Sequence, residues 1–396
     1  MPLSTPFLPA LCNIMKKHSQ IHEIGGIRGW AAFVVFLYHS FSLIRVSPLY
    51  TYMDGPIMVL IFFALSGDAL SVSFTREHNP GMSPTVPLKR VLRLSGVSAA
   101  SLLLTYVAIS YGFLRNKEAA SLLKWPWFAT LLPDDPSSLS LGFDVFWTAF
   151  LGMYHAVPKL NPYLWTMAEE FRGSLVVFAI GSVYSRLRFI PVVLGLAMLV
   201  YYYFSLHSAL FIFGVFLGYC RTRGIFALTH RVIPLRILFG LCAITLPFIR
   251  RYNYLPDFSF ACLSLFCIYA SKDAVWFFST RLSYFLGEIS FPFYALSCLV
   301  ICSFQSDLTI RLLSAGVAYE STGWAIIFTL AAAIFLTFLS CLVRYIEMHY
   351  LRIIDKVFDW FVDPAGKDRR TEAERSPYQQ IPQQEEMLET SVVTEN

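Results

Sequence analysis

Gly323-Trp324-Ala325-Ile326-Ile327-Phe328-Thr329-Leu330-Ala331-Ala332-Ala333-Ile334-Phe335-Leu336-Thr337-Phe338-Leu339-Ser340-Cys341-Leu342-Val343 carries no charged side chain. Nothing in it alternates with the period of a half-buried strand, and it is longer than the core helix of an ordinary water-soluble domain. About 20 apolar residues in a helix cross the hydrocarbon of a bilayer. Backbone amides in lipid must find their partners within the segment, so the stretch predicts a transmembrane helix. The rest of the chain repeats the pattern. Hydrophobic residues make up 56% of the 396 and charged ones only 14%, about half the charge of a soluble domain. Mean hydropathy is +0.57. Spans are expected near 26–44, 56–74, 96–114, 163–184, 189–206, 208–220, 235–249, 257–271, 283–303 and 323–345. The predicted fold is all-α, a polytopic transmembrane helix bundle of about ten spans.

Charge asymmetry orients the bundle. Lys16, Lys17, Arg76, Lys89, Arg90, Arg93, Arg186, Arg188, Arg221, Arg223, Arg344 and Arg352 fall on one side of this arrangement. Fewer basic residues, Arg45, Arg115, Lys117, Lys124 and Lys159 among them, fall on the other. The positive side is the cytosolic one, which puts both termini in the cytosol. The net charge of +5 is read as this topological signal, and no nucleic-acid partner is expected. Residues 1–20 form an N-terminal cytosolic segment, 21–350 the transmembrane domain, and 351–396 a cytosolic, largely disordered tail rich in Gln and Glu. The longest connection, 115–162, lies on the lumenal side and contains Trp125, Pro126, Trp127 and Pro133-Asp134-Asp135-Pro136. No cleaved signal peptide is expected, because the first span can direct insertion. The endoplasmic reticulum membrane is the default location.

The eight cysteines form no CxxC and mostly sit in apolar runs, so neither a metal site nor a disulfide framework is expected. Ionisable residues inside the membrane are costly and are the first places to look for function. Arg28 and His39 are eleven positions apart in the first span. That is three turns plus ~20°, so both lie on one helix face, ~16 Å apart along the axis. His39 can act as a general base near neutral pH, or it can be a histidine hydrogen-bonded between helices. Gly25 and Gly29 make a small-xxx-small face for close helix packing. Asp68 is an acid inside the second span that could contact Arg28 or His39, or face a polar cavity. Arg90 and Arg93 are i,i+3 neighbours whose guanidinium forks suit phosphate oxygens. Glu169 and Arg172 are spaced to pair, and so are Arg344 and Glu347.

Ile24-Gly25-Gly26-Ile27-Arg28-Gly29 followed by Leu37-Tyr38-His39 resembles the opening motif of the acyltransferase 3 family, in which Arg, ten residues and then His recur. Further likenesses follow in order across roughly 20–350. They are Phe62-Phe63-Ala64-Leu65-Ser66-Gly67, Arg90-Val91-Leu92-Arg93, Leu164-Trp165-Thr166-Met167-Ala168-Glu169-Glu170-Phe171, Phe213-Gly214-Val215-Phe216-Leu217, Leu286-Gly287-Glu288-Ile289-Ser290-Phe291 and Arg344-Tyr345-Ile346-Glu347. Glu170-Phe171-Arg172-Gly173-Ser174 looks most like the fungal branch, whose members acetylate terpenoid or polyketide metabolites. The chain departs from the family at Ser297, where many members have His, at Asp68, and at Met348-His349.

The resemblance implies a membrane O-acetyltransferase that moves acetyl from acetyl-CoA to a hydroxyl of a lipophilic secondary metabolite. It implies His39, Arg28 and Glu170 as catalytic residues and Arg90 and Arg93 as the acyl-CoA site; Asp68, as an acid inside a span, and Trp165 are candidate substrate-pocket residues. The expected partners are membrane lipids, acetyl-CoA as co-substrate and a hydrophobic hydroxylated small molecule, with no bound cofactor and no metal. Two other classes remain open. A transporter would use His39, Asp68 and Glu170 as a proton relay, and an inactive scaffold would bind partners without turnover.

Overall fold

The computed structural model describes residues 22–44, 53–75, 85–133, 159–249, 256–316 and 322–362. The segment 1–20, the Asp134-Asp135-Pro136 run and the tail beyond 362 lie outside the described residues. All regular structure among the described residues is helical. In chain order the helices are α1 (His22–Ile44), α2 (Gly55–Thr75), α3 (Thr85–Ser110), α4 (Asn116–Leu122) and α5 (Pro126–Ala129). They continue as α6 (Trp165–Val183), α7 (Ile190–Phe204), α8 (Leu206–Thr222), α9 (Ile225–Arg231) and α10 (Ile233–Ile249). The last are α11 (Asp257–Ala270), α12 (Lys272–Phe278), α13 (Arg281–Val300), α14 (Ser306–Ser314) and α15 (Thr322–Val362).

A helix occupies each stretch expected to span, but not all are long enough to do so alone. Among the described residues four continuous helices are long and apolar enough to cross a membrane: Gly55–Thr75, Val86–Ser110, Arg281–Ser314 and Gly323–Phe358. The count becomes six if α8 with α9, bent by 64°, and α11 with α12, bent by 94°, are each one span. This is a multi-pass membrane protein by length and composition. Of the other expected stretches, α7 and α10 are apolar but short, at 15 and 17 residues, or ~25 Å, whereas α1 and α6 have 23 and 19 residues and carry charged side chains, Glu23 and Arg28 in one and Glu169, Glu170 and Arg172 in the other. The final helix runs 41 residues to Val362, past the expected span edge at 345 and into the first part of the 351–396 segment.

Two apolar cores divide the bundle, and α1 contributes to both. Phe36 packs with Phe293 of α13 and Leu102 of α3 in the first. Ile24 and Ile27 join Phe63 of α2 and Phe211 of α8 in the second. Helices α1 and α13 run parallel, because residues near Gly29 meet Gly287 and Phe36 meets Phe293 further along. That seam is tight. A Cβ on Gly29 would lie 2.5 Å from the Gly287 backbone nitrogen. Gly25 lies on the same seam, its carbonyl against Gly287, so the glycines of the first motif do pack as a small-residue face. A second tight crossing joins α2 to α8 at Gly67 and Gly214. Beyond Val300 the chain makes one π turn, Ile301–Gln305, before α14. The Cys302 carbonyl there accepts the Arg115 backbone N–H at 2.9 Å, which ties the start of α4 to the bundle.

Candidate functional site

Arg28 and His39 lie toward opposite ends of one face of α1, and the residues around them differ in kind. The Arg28 end is ionic. Arg90 enters from the second turn of α3 and donates through Nη2 to Glu170 Oε2 at 2.5 Å and through Nε to Ser174 Oγ at 2.8 Å. Ser66 of α2 donates to the other Glu170 oxygen at 2.7 Å. Sequence reasoning named Glu170 and Arg90 separately. The fold makes them one buried pair, and burial of a charge demands that kind of partner.

A second ion group abuts the first. Arg344 of α15 bonds Glu347 and Glu288 of α13, each at 2.8 Å. Arg93 Nε lies 3.5 Å from Glu347 Oε1, but that oxygen accepts no hydrogen bond, so the contact is electrostatic only. Arg28 feels the charges of Glu170, Arg90, Arg93 and Glu347. Its Nε is sealed from solvent without a hydrogen-bond partner. Among the described residues four guanidiniums therefore face three carboxylates here, an excess of positive charge in which Arg28 makes no hydrogen bond.

The His39 end is aromatic and neutral. The imidazole stacks on Tyr163 with centroids 4.1 Å apart and planes 19° from parallel, and Tyr38 meets it edge-on at 5.2 Å. No side chain among the described residues hydrogen-bonds the His39 ring, so the reading of a histidine bonded between helices is not the arrangement found. Tyr163 is fixed by its backbone: Asn161 Oδ1 accepts its N–H at 3.1 Å and its carbonyl accepts from Tyr294 Oη at 2.5 Å. Asn161, fully buried, also donates to Ser101 Oγ and the Ala295 carbonyl, at 2.8 and 2.7 Å. One position beyond His39, Ser40 meets Thr329 Oγ1 at 2.9 Å and accepts from Gln305 Nε2 at 2.6 Å. Gln305 ends the π turn, its Oε1 is buried without a partner, and π turns often mark functional sites.

The remaining expected residues lie elsewhere. Asp68 reaches neither Arg28 nor His39. It faces α8 and α11, where Arg221 Nη2 lies 2.5 Å from Oδ1 and Tyr269 Oη donates to Oδ2 at 2.6 Å. Trp165 projects away from the imidazole, toward Phe63 and His207. Glu169 holds Arg172 at 2.6 Å, as its spacing suggested, and also approaches His207 Nδ1 at 3.2 Å. The geometry of that last contact is not that of a hydrogen bond, because both atoms remain unsatisfied. Ser297 donates to the Tyr294 carbonyl at 2.7 Å.

Sequence reasoning does not single out Tyr163, Asn161 or Gln305, and it includes Glu288 and Ser174 only as members of motifs. Asn161-Pro162 ahead of an apolar run was the one signal that could have found the Asn161 cap, whose side chain accepts from Tyr163 N–H. Gln305 carried a weaker one, as a lone amide at the end of the apolar 283–303 stretch.

Compared with protein-family models, curated proteins and solved structures, the chain matches none.

Proposed function

We propose that this protein is a membrane O-acyltransferase that moves acetyl from acetyl-CoA to a hydroxyl of a lipophilic metabolite. The observation that carries the reading is the state of His39. Its imidazole is held by a ring stack, has no hydrogen-bond partner among the described residues, and lies ~16 Å along one helix face from a cluster with surplus positive charge. An extended pantetheine arm bridges a gap of that order. In this scheme the CoA phosphates engage the Arg28, Arg90 and Arg93 end. The thioester then reaches the Tyr163–His39 end. The acceptor oxygen attacks the thioester carbonyl while His39 takes its proton. The C–S bond breaks, and the imidazolium returns the proton to the departing CoA thiolate. Glu170, already engaged by Arg90 and Ser66, is a positioning residue for the arginine end.

The same proposal has about ten spans, both termini in the cytosol and residence in the endoplasmic reticulum membrane. It follows the ordered likeness to acyltransferase 3 proteins. A proton-relay transporter is the weaker reading. Asp68 is bonded to Arg221 and Tyr269, Glu170 to Arg90 and Ser66, and no hydrogen bond among the described residues links either acid to His39.

Purified protein given acetyl-CoA and hydroxylated terpenoids or polyketides is expected to yield products heavier by one acetyl group. His39→Ala is expected to lower that turnover by about 10²–10⁴-fold, the usual contribution of a general base. Full turnover by a correctly folded His39→Ala protein would remove His39 from the chemistry. Transport of unmodified metabolite without acetyl-CoA consumption would replace the transferase reading altogether.

A further inference from the structure

Between the first turns of α3 and the middle of α6 lies a cleft of ≈ 250 Å³. Its walls are Leu88, Val91, Leu94, Phe171, Leu175 and Phe178. Leu88 and Leu175, 51% and 49% exposed, form its outer rim, on helices that include the apolar span Val86–Ser110. Only two lining residues carry polar side-chain groups, Arg90 and Ser174. Pockets that take drug-sized rigid ligands usually start near ~300 Å³. The apolar walls suit a segment of a hydrocarbon chain whose remainder stays in the bilayer.

The polar element of the cleft has a sign. Arg90 spends Nη2 on Glu170 and Nε on Ser174, and Nη1 makes no hydrogen bond among the described residues. Among the described residues no carboxylate lines the cleft; the Glu170 carboxylate that takes Arg90 Nη2 is outside the lining. Arg28 and Arg93 add positive charge close by to set against Glu170: Arg28 feels Arg90 and Arg93, and Arg90 feels Arg93. A guanidinium arm with open donors beside an apolar slot recognises an anionic oxygen at the end of a chain. A neutral lipid of equal length gains only the apolar part.

We propose that the α3–α6 cleft binds a single-chain membrane lipid with an anionic head, its chain between Leu88, Val91 and Leu175 and its head on Arg90 Nη1. The site shares Arg90 with the end proposed for the CoA phosphates, but the lipid reading rests on the cleft and does not depend on that assignment. Its occupant comes from the bilayer, because the rim of the cleft is apolar and opens on the flank of a membrane-crossing helix. Occupation would add a ligand to the Arg90–Glu170 pair without touching His39.

The test uses the full chain in neutral detergent with an oleate analogue that carries a diazirine in its chain. Labelling is expected on the peptides that contain residues 87–94 and 171–178. Oleate should compete about tenfold better than monoolein, as one charge-assisted hydrogen bond would give, and inorganic phosphate should not compete. Leu175→Trp fills the slot from its exposed rim without entering the core, and it should abolish the label while the protein keeps its elution volume and thermal midpoint. Val91→Trp gives the same readout from the neighbouring helix. Equal competition by monoolein would mean annular lipid and overturn the proposal. Competition by phosphate would replace the lipid with a free anion. Absence of label at these peptides, or a label unchanged in both Trp variants, would also overturn it.

Discussion

Removing Arg221 isolates a charge that the fold has taken completely out of solvent. Asp68 has no exposed surface, and its two oxygens are held by Arg221 and Tyr269. Arg221→Ala leaves that carboxylate with one phenol for company. Breaking a buried pair from one side costs about 3–5 kcal/mol. The Arg221 side chain keeps 20% of its surface, so water can replace part of the interaction, and the lower end, about 3 kcal/mol, is expected. Tyr269→Phe deletes one hydrogen bond and should cost about 1 kcal/mol, in the range measured between membrane helices. The double variant Asp68→Leu/Arg221→Met removes both charges and keeps volume. It should lie within about 1 kcal/mol of the parent, because the desolvation cost disappears with the attraction. The assay is equilibrium unfolding in mixed micelles with rising SDS fraction, followed by circular dichroism. Two results would refute the reasoning. One is an Arg221→Ala loss below about 1 kcal/mol, and the other is a double variant as unstable as the single. A double variant that is stable yet has no acetyl-transfer activity would return Asp68 to the functional residues, where its isolated place in the sequence had put it.

Three further outcomes follow from particular contacts. Gly214→Ala would drive a methyl into the Ala64 carbonyl and to 2.6 Å from the Asp68 nitrogen, with an expected loss of about 2–3 kcal/mol; Gly195→Ala in α7 meets nothing within 4 Å and should gain about 0.5–1 kcal/mol from helix propensity, both read in the same unfolding assay. Tyr163→Phe keeps the ring under His39 and the backbone bonds that place it, so acetyl transfer should persist, whereas Tyr163→Ala removes a stack worth about 1 kcal/mol and should lower kcat by about tenfold through a misplaced imidazole. Lys89 and Asp355 pair at 2.7 Å across α3 and α15 with 35% and 59% of their side-chain surface exposed; Lys89→Ala should cost under about 1 kcal/mol, and that cost should vanish at 1 M salt.

Much of the helical layout was legible in the chain because it depends on local properties. An uncharged run such as 323–343 cannot satisfy its backbone in lipid except as a helix. The i,i+3 pairs Glu169–Arg172 and Arg344–Glu347 needed only the helical repeat. Arg28 and His39 could likewise be set on one face by counting residues. Span number was harder to read, because hydropathy marks apolar stretches and not whether a 14-residue helix crosses alone or as half of a bent pair. The last helix was underestimated for a related reason. Its stretch from Met348 to Val362 is amphipathic and charged, and it is held by contacts with α3, where Tyr350 donates to the Leu92 carbonyl at 3.2 Å.

Partner choice was not legible at all. Asp68 and Glu170 look alike in sequence, each an acid in an apolar setting. One faces Arg221 from 153 positions away and the other faces Arg90 from 80 positions away. Those choices depend on how α2 crosses α8 at Gly67 and Gly214 and how α6 leans on α3. The sequence by itself determined that the chain is helical, that it belongs in a membrane, and that Arg28 and His39 share a face, since each follows from solvent and helix period. Only the tertiary structure decided that Arg90, Glu170, Ser66 and Ser174 form one group, that Asp68 is locked away from it, and that His39 rests on Tyr163 with no hydrogen bond to its ring among the described residues. Pairing between distant segments is set by packing across the whole bundle, and no local property of the chain encodes it.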